Sequence, residues 1–288
     1  MSEELLKPGW RSRTVKAGEL SLHLVETGPE EGPPVLLLHG FPEFWWAWRH
    51  QLDALAQAGF RAIAPDLRGY NLSEAPTGVS AYRTELLAGD VVNLADALGL
   101  SRFRLVGHDW GGLVAWAIAS GYAERVERLV IMDAPHPEVW AAFAMRHPSQ
   151  AVRSAYVGWF QAPLLPEAAF SAFNFRLLRA TLKNSAMPGT FDEAVLDRYA
   201  QAWNRPGRLT AMLNYYRALP RSSRPRSGKL PQPVSILWGE RDSFLDNRLA
   251  QASAEQCSDA RVTILPGATH WLHHERPELV NAELLAFL

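Results

Sequence analysis

One cysteine, Cys257, is all that this 288-residue chain contains. No internal disulfide can form from it, and no cysteine zinc site can be built around it. A surface or packing role is expected for the thiol. No run of about 18 apolar residues occurs, which removes a membrane-spanning helix. The opening MSEELLKPGW lacks a basic segment followed by an apolar one, so a soluble, unexported, cytoplasmic protein is expected. Charge of neither sign prevails: 29 Lys and Arg face 30 Asp and Glu. Such a chain has no overall field to draw nucleic acid or an anionic membrane, and small neutral partners suit it better. Internal repeats and low-complexity tracts are absent too. What is present is apolar: 48% hydrophobic residues and 11 tryptophans, enough for one large α/β domain or a domain with an insertion.

The first half alternates short apolar runs with helical patterns. RTVKAGEL and LHLVETG form an expected antiparallel pair joined around Gly18 to Ser21. PPVLLLHG, FRAIAPD, FRLVGHD and VERLVIMDAP are continuous apolar runs, as strands buried on both faces must be. Helices are expected over Trp45 to Ala58, Thr84 to Leu98 and Gly111 to Ser120, which implies a mostly parallel sheet covered on both sides. From Pro137 to Leu219 only helical stretches occur, broken at Pro163, Pro166, Pro188 and Pro206. A polar linker, PRSSRPRSGKLPQP, then leads to the runs VSILWGE and RVTILPG and a final helix from about Pro277. The expected organisation is a core in two parts, 1–136 and 220–288, with a helical cap, 137–219, inserted between them.

Unusual residues cluster where strands end, at the ligand-facing edge of such a sheet. Gly107-His108-Asp109-Trp110-Gly111 has the spacing of the nucleophile elbow G-x-S-x-G, with aspartate in place of serine. Asp242 in WGERDSF and His270 in PGATHWLHH follow later. The order nucleophile, acid, histidine is that of the α/β-hydrolase fold, which the chain resembles.

The aspartate narrows the chemistry. A serine attacking saturated carbon would form an ether, which has no carbonyl for water to open. A carboxylate forms an alkyl ester, whose carbonyl belongs to the enzyme and can be hydrolysed. With an ordinary pKa of about 3.9 it is ionised at neutral pH and needs no base, so the histidine is free to activate water. The leaving group is then a halide or an epoxide oxygen. A halide needs only N–H donors, whereas an epoxide oxygen becomes an alkoxide and needs a proton, which a phenol of pKa about 10 can give. Tyr156 in SAYVGWFQAP and Tyr215 and Tyr216 in MLNYYRALP are the candidates.

HGFPEFWWAWRHQ, APDLRGYNLSEAP, LVGHDWGG, YVGWFQAP, LNYYRALPR and GATHWLHHERPE, in that order, make the chain similar to epoxide hydrolases of the α/β-hydrolase superfamily over nearly its whole length. The resemblance implies Asp109 as nucleophile, His270 as base, Asp242 as the acid that orients it, and Tyr156 with Tyr216 as paired phenols. Tyr216 rather than Tyr215 follows from the family's aromatic residue before the active tyrosine and arginine after it. Backbone N–H groups of Phe41 and Trp110 would form the oxyanion hole. A small apolar epoxide and water are the implied partners, no cofactor or metal is implied, and a monomer or homodimer is expected. Asn71 departs from the family, where glycine is usual, although Asn tolerates left-handed backbone.

Rival readings stand beside this one. Haloalkane dehalogenases usually carry asparagine directly after His-Gly, where this chain has Phe41. Fluoroacetate dehalogenases share RGYNLS but favour arginine after the nucleophile and a His-Trp pair in the cap, from which Trp110 and GWF depart. A non-catalytic binding protein on this fold would keep only part of the triad. Asp133, past LVIM, is an alternative acid. His39 and Pro42 can simply shape a turn, His108 fits a packing role, and His273 and His274 are expected on the exposed start of the last helix. The FWWAW run reads as core, with Phe44 or Trp45 at the edge of a pocket.

Overall fold

The chain enters its sheet as a hairpin in a computed structural model that describes residues 3–223 and 228–288. Strand β1 (Arg11–Ala17) pairs antiparallel with β2 (Leu20–Thr27), Arg11 opposite Glu26 and Ala17 opposite Leu20. β1 is an edge strand and is mostly exposed, whereas β2 is buried from Leu22 to Thr27. Six more strands follow: β3 (Pro34–Leu38), β4 (Arg61–Pro65), β5 (Phe103–His108), β6 (Val126–Met132), β7 (Leu230–Gly239) and β8 (Cys257–Leu265). The order across the sheet is β1-β2-β4-β3-β5-β6-β7-β8. β2 meets β4 antiparallel, and every pairing from β4 to β8 is parallel.

Burial explains why the inner strands are unbroken apolar runs. Every residue of β4 and all but the first of β3 are buried, because helices cover both faces of the sheet. Those helices include α1 (Arg49–Gln57), α2 (Thr84–Ala97) and α3 (Trp110–Gly121). The expected helix from Trp45 starts as a 3-10 turn, Trp45–Trp48, whose four residues are all buried, and becomes α-helical at Arg49. Phe44 and Trp45 accordingly belong to the core and line no part of the cavity described below. Cys257 is buried at the start of β8.

Between β6 and β7 the described chain is helical throughout: α4 (Pro137–Arg146), α5 (Pro148–Arg153), α6 (Ala155–Phe160), α7 (Leu165–Ser185), α8 (Glu193–Trp203) and α9 (Arg208–Ala218). Pro163, Pro188 and Pro206 fall in the connections. Pro166 instead sits in the first turn of α7, where a missing N–H does no harm. A break absent from the sequence reading precedes Pro148, and α7 itself is interrupted at Ala172 to Phe175, three of whose residues have positive φ. Asp192 caps α8 by accepting from the Val195 N–H at 2.8 Å.

β7 begins inside the expected linker, at Leu230 rather than after Pro233. Pro231 and Pro233 are tolerated there because this end of β7 pairs only with β8, across a register irregularity. Residues 224–227 of that linker lie outside the described residues. Helices α10 (Arg248–Ala254), α11 (Leu272–Glu275) and α12 (Pro277–Phe287) complete the chain.

Candidate active site

Asp109 occupies the turn from β5 into α3 with φ 49° and ψ −118°. A non-glycine residue enters this region only when its surroundings hold it there. Its N–H donates to the Met132 carbonyl at 3.1 Å, and its own carbonyl accepts from the Leu113 N–H at 3.0 Å. Two glycines make the turn possible. A Cβ on Gly111 would stand 2.1 Å from the Leu38 carbonyl oxygen, and one on Gly40 would stand 2.6 Å from the Asp109 Cβ. With neither present, the Phe41 N–H reaches Asp109 Oδ1 at 2.8 Å. Trp110 opens α3, so its amide is one of the free donors at a helix N-terminus that favours an anion. Burial alone would raise the Asp109 pKa. The hydrogen bond and charge of His270, the His108 charge and the Phe41 N–H outweigh it and leave the carboxylate below its ordinary value.

His270 follows β8 in the loop before α11. Its Nδ1 pairs with Asp242 Oδ2 at 2.8 Å, and its Nε2 lies 3.5 Å from Asp109 Oδ2. Asp242 follows β7, and its Oδ1 accepts from the Phe244 and Leu245 N–H groups at 2.7 and 3.0 Å. Helix α5 holds this loop in place. Arg153 donates to the Asp242 carbonyl at 2.9 Å, while Gln150 donates to the Phe244 carbonyl at 2.9 Å and accepts from the Asp246 N–H at 2.8 Å. Burial by itself favours a neutral His270 ring. The carboxylates of Asp242 and Asp109 overcome that and raise its pKa well above 6.5. His108 packs beneath, ring centroids 4.8 Å apart, and its Nε2 bonds the His270 carbonyl at 2.8 Å.

Asp133 is fully buried after β6, with its Oδ1 accepting from the Gly239 N–H at 2.8 Å and its Oδ2 facing no donor among the described residues. Burial and then the Asp242 charge raise its pKa well above that of an ordinary aspartate.

A cavity of about 260 Å³ opens over Asp109 and His270. Its sheet side is walled by Phe41, Pro42, Phe244 and Trp271, and its far side by residues of the helical insertion, among them Trp159, Phe160, Phe170 and Leu178. Tyr156 from α6 and Tyr216 from α9 both line it, with ring centroids 6.0 Å apart. Tyr216 is wedged edge-on between Trp110 at 4.9 Å and Phe41 at 5.4 Å. Arg217, about 100° round α9 from Tyr216, grips Glu167 with two bonds of 2.6 and 2.9 Å and holds the helix's rotation. Tyr215 points away, and its hydroxyl donates a hydrogen bond to the Arg68 carbonyl at 2.7 Å. Burial, then the charge of Asp109, raises the Tyr156 pKa; burial, Tyr156 and Asp109 raise that of Tyr216. Both phenols are therefore protonated near neutral pH.

His273 and His274 do not lie on an exposed helix start. They form the buried turn α11, packed against Glu43. His274 Nε2 meets Glu43 Oε1 at 2.6 Å, His273 Nε2 lies 3.5 Å from Oε2, and Tyr199 donates to Oε1 at 2.8 Å. No sequence pattern signals this, because the glutamate and the histidines are joined only by the fold. Glu43, His273 and His274 offer ligand atoms within 4.8 Å of one another, as do His108, Asp133 and His270. In the first group Glu43 Oε1 takes the contacts of His274 and Tyr199, while His108 Nδ1 and His273 Nε2 stand 3.4 and 3.5 Å from Oε2. Asn71, at the family's glycine position, has φ 37° and donates from Nδ2 to Asp66 at 2.9 Å, a left-handed turn stabilised by its own side chain. His39 accepts the Leu67 N–H at 3.0 Å through Nε2 and braces the same loop.

Among the described residues no helix is long and apolar enough to cross a membrane. Residues 33–277 match the family model described as alpha/beta hydrolase fold. The AB hydrolase superfamily protein YfhM of Bacillus subtilis is 38% identical, over 97% of this chain and 98% of that protein. Epoxide hydrolase 4 of Mus musculus is 37% identical, over 95% of this chain and 78% of its own length. The crystal structure of Bacillus megaterium epoxide hydrolase in complex with an inhibitor superimposes with a TM-score of 0.87 at 30% identity, covering 96% of this chain and 99% of that one. By family model and by relatives alike, the chain belongs to the alpha/beta hydrolase fold family, alongside proteins that bear the name epoxide hydrolase.

Proposed function

We propose that the protein is an epoxide hydrolase that opens small apolar epoxides to vicinal diols through an ester on Asp109. One observation carries the reading: an aspartate at the elbow, 3.5 Å from a histidine, faces two protonated phenols across an aromatic cavity. Asp109 attacks an epoxide carbon from the sheet side. The C–O bond breaks, and the alkoxide takes a proton from Tyr156 or Tyr216 on the opposite wall. The charge on Asp109 disappears as the ester forms, so one of the two anions that hold His270 protonated is gone. The imidazolium then gives up its proton, the tyrosinate recovers one, and Nε2 is free as a base.

Water loses a proton to that nitrogen and attacks the carbonyl carbon of the Asp109 ester. The Phe41 amide, which already donates to Asp109 Oδ1, and the Trp110 amide at the start of α3 stabilise the oxygen that becomes negative. Collapse expels the diol oxygen, which takes the proton from His270, and Asp109 returns to a carboxylate as its own proton passes back to the ring. Asp242 keeps Nδ1 protonated and Nε2 aimed throughout. The helical segment 137–219 serves as a cap, supported by the two phenols and the cavity wall it contributes. A cytoplasmic setting fits the single buried cysteine. Styrene-oxide-type epoxides, haloalkanes and fluoroacetate assayed side by side test the reading. Diol formation is expected, with a covalent adduct accumulating in His270→Gln by intact-protein mass. Halide release without diol formation would overturn it.

A further inference from the structure

Two aspartates, rather than one, stand behind the histidine. Asp133 ends β6 and Asp242 follows β7, and both are anchored on Gly239: Asp133 Oδ1 accepts its N–H at 2.8 Å, and the Asp242 N–H donates to its carbonyl at 3.2 Å. A carboxylate oxygen of Asp133 lies within 4.8 Å of ring nitrogens of both His270 and His108. Asp242 is fully engaged, with Oδ2 on His270 Nδ1 and Oδ1 on two backbone amides. Asp133 has one amide, and among the described residues its Oδ2 has no donor although it is completely buried.

Two buried carboxyl groups anchored on the same glycine and set against the same imidazole do not both ionise. The negative charge belongs on the member with more donors, which is Asp242. Asp133 then carries a proton, and its free oxygen has a use for it: the neighbouring Asp242 carboxylate. We propose that Asp133 is a positioning residue of the same site, whose carboxylic O–H buttresses Asp242 and whose carboxylate takes over the orientation of His270 when Asp242 is removed. In the second role the O–H bond of Asp133 breaks and its proton leaves to solvent, so the pair bears one negative charge in either case. The proposal rests on the assignment of His270 as base and Asp242 as its acid.

The test compares the native chain with Asp133→Asn, Asp242→Asn and the double variant. The rate at which the Asp109 adduct decays is followed by intact-protein mass, and adduct formation reports that the fold and nucleophile survive. Asp133→Asn keeps an acceptor for Gly239 and a donor for Asp242, so decay should slow only a few-fold. Asp242→Asn should slow it further, and the double variant should fall below the product of the two single effects by about tenfold or more, as expected for neighbours in one network. A double effect equal to or smaller than that product overturns the proposal. So does an Asp133→Asn loss as deep as that of Asp242→Asn. A second measurement needs no turnover: infrared spectra at neutral pH should show a protonated-carboxyl band in the native chain that Asp133→Asn abolishes. An absent band overturns the proposal even if epoxides are opened. A band that is present supports it even if the chain proves to act on another substrate.

Discussion

Tyr156 and Tyr216 are the residues on which the choice of reaction turns, because only an epoxide oxygen needs their proton. Tyr156→Phe or Tyr216→Phe should each slow alkylation of Asp109. The double change should approach the full value of general acid assistance, about 10²- to 10⁴-fold. Phenylalanine keeps the ring contacts of Tyr216 with Trp110 and Phe41, so the fold should be retained. Pre-steady-state adduct formation, with circular dichroism as the control, checks this. Substrates with a halide leaving group should lose far less in the same variants, since no proton is required. A folded double variant that alkylates at the native rate would remove the phenols from the mechanism. Tyr215 provides the internal comparison, for its hydroxyl is engaged by the Arg68 carbonyl and lies outside the cavity.

The elbow depends on the close approach of β3, β5 and α3. Gly111 touches the Leu38 carbonyl so nearly that an added methyl would lie 2.1 Å from the oxygen, far inside contact distance. Backbone cannot yield there without moving β3, and with it the Phe41 N–H that holds Asp109. Gly111→Ala should therefore destabilise the protein by about 1–3 kcal/mol or more, the usual range for overpacking. Urea unfolding measures it, and an unchanged midpoint would show that the approach is looser than the geometry states. At the same scale, α5 and α9 act as props. One holds the loop of Asp242 through Gln150 and Arg153, and the other presents Tyr216 while the adjacent Arg217 clamps the helix to Glu167.

Across the whole molecule, Glu43 ties three distant parts of the chain together. It leaves the loop after β3, takes a hydrogen bond from Tyr199 in the helical insertion, and meets His274 near the C-terminus. Burial opposes its charge, and His274 and His273 counter this and set its pKa well below 4.5, although burial lowers the pKa of both histidines in turn and keeps their rings neutral near pH 7. The sign follows directly. A carboxylate with a depressed folded pKa contributes stability above its ordinary 4.5, and that contribution is lost as pH falls through the folded value. Glu43→Gln should lower stability near neutrality by about 1–3 kcal/mol, the cost of disturbing buried hydrogen bonds to a charged acceptor. It should also flatten the acid limb of the stability profile. Denaturant melts between neutral and acid pH would show both effects, and a variant with the native acid limb would assign that limb to other groups, the buried His273 and His274 among them.

Contiguous features were legible from residue order alone. Gly107 to Gly111 places a carboxylate at an elbow within five consecutive residues, and its chemistry follows from the residue type. Strands buried on both faces leave unbroken apolar runs such as VLLL and AIAP, so the parallel sheet and its alternating helices could be read as well. Other features had no local trace. Tyr215 and Tyr216 point about 100° apart on α9, and only the rotation of that helix, set by Arg217 on Glu167, turns one into the cavity and the other away. His274 and Glu43 are 231 residues apart, and a polar pair of histidines near a helix start looks exposed until a buried carboxylate is brought against it. Asp133 and Asp242 are neighbours only because β6 pairs with β7. Periodicity and covalent adjacency are written in the chain, whereas contacts between elements depend on how each element is rotated and registered against the next, and that was decided by tertiary packing.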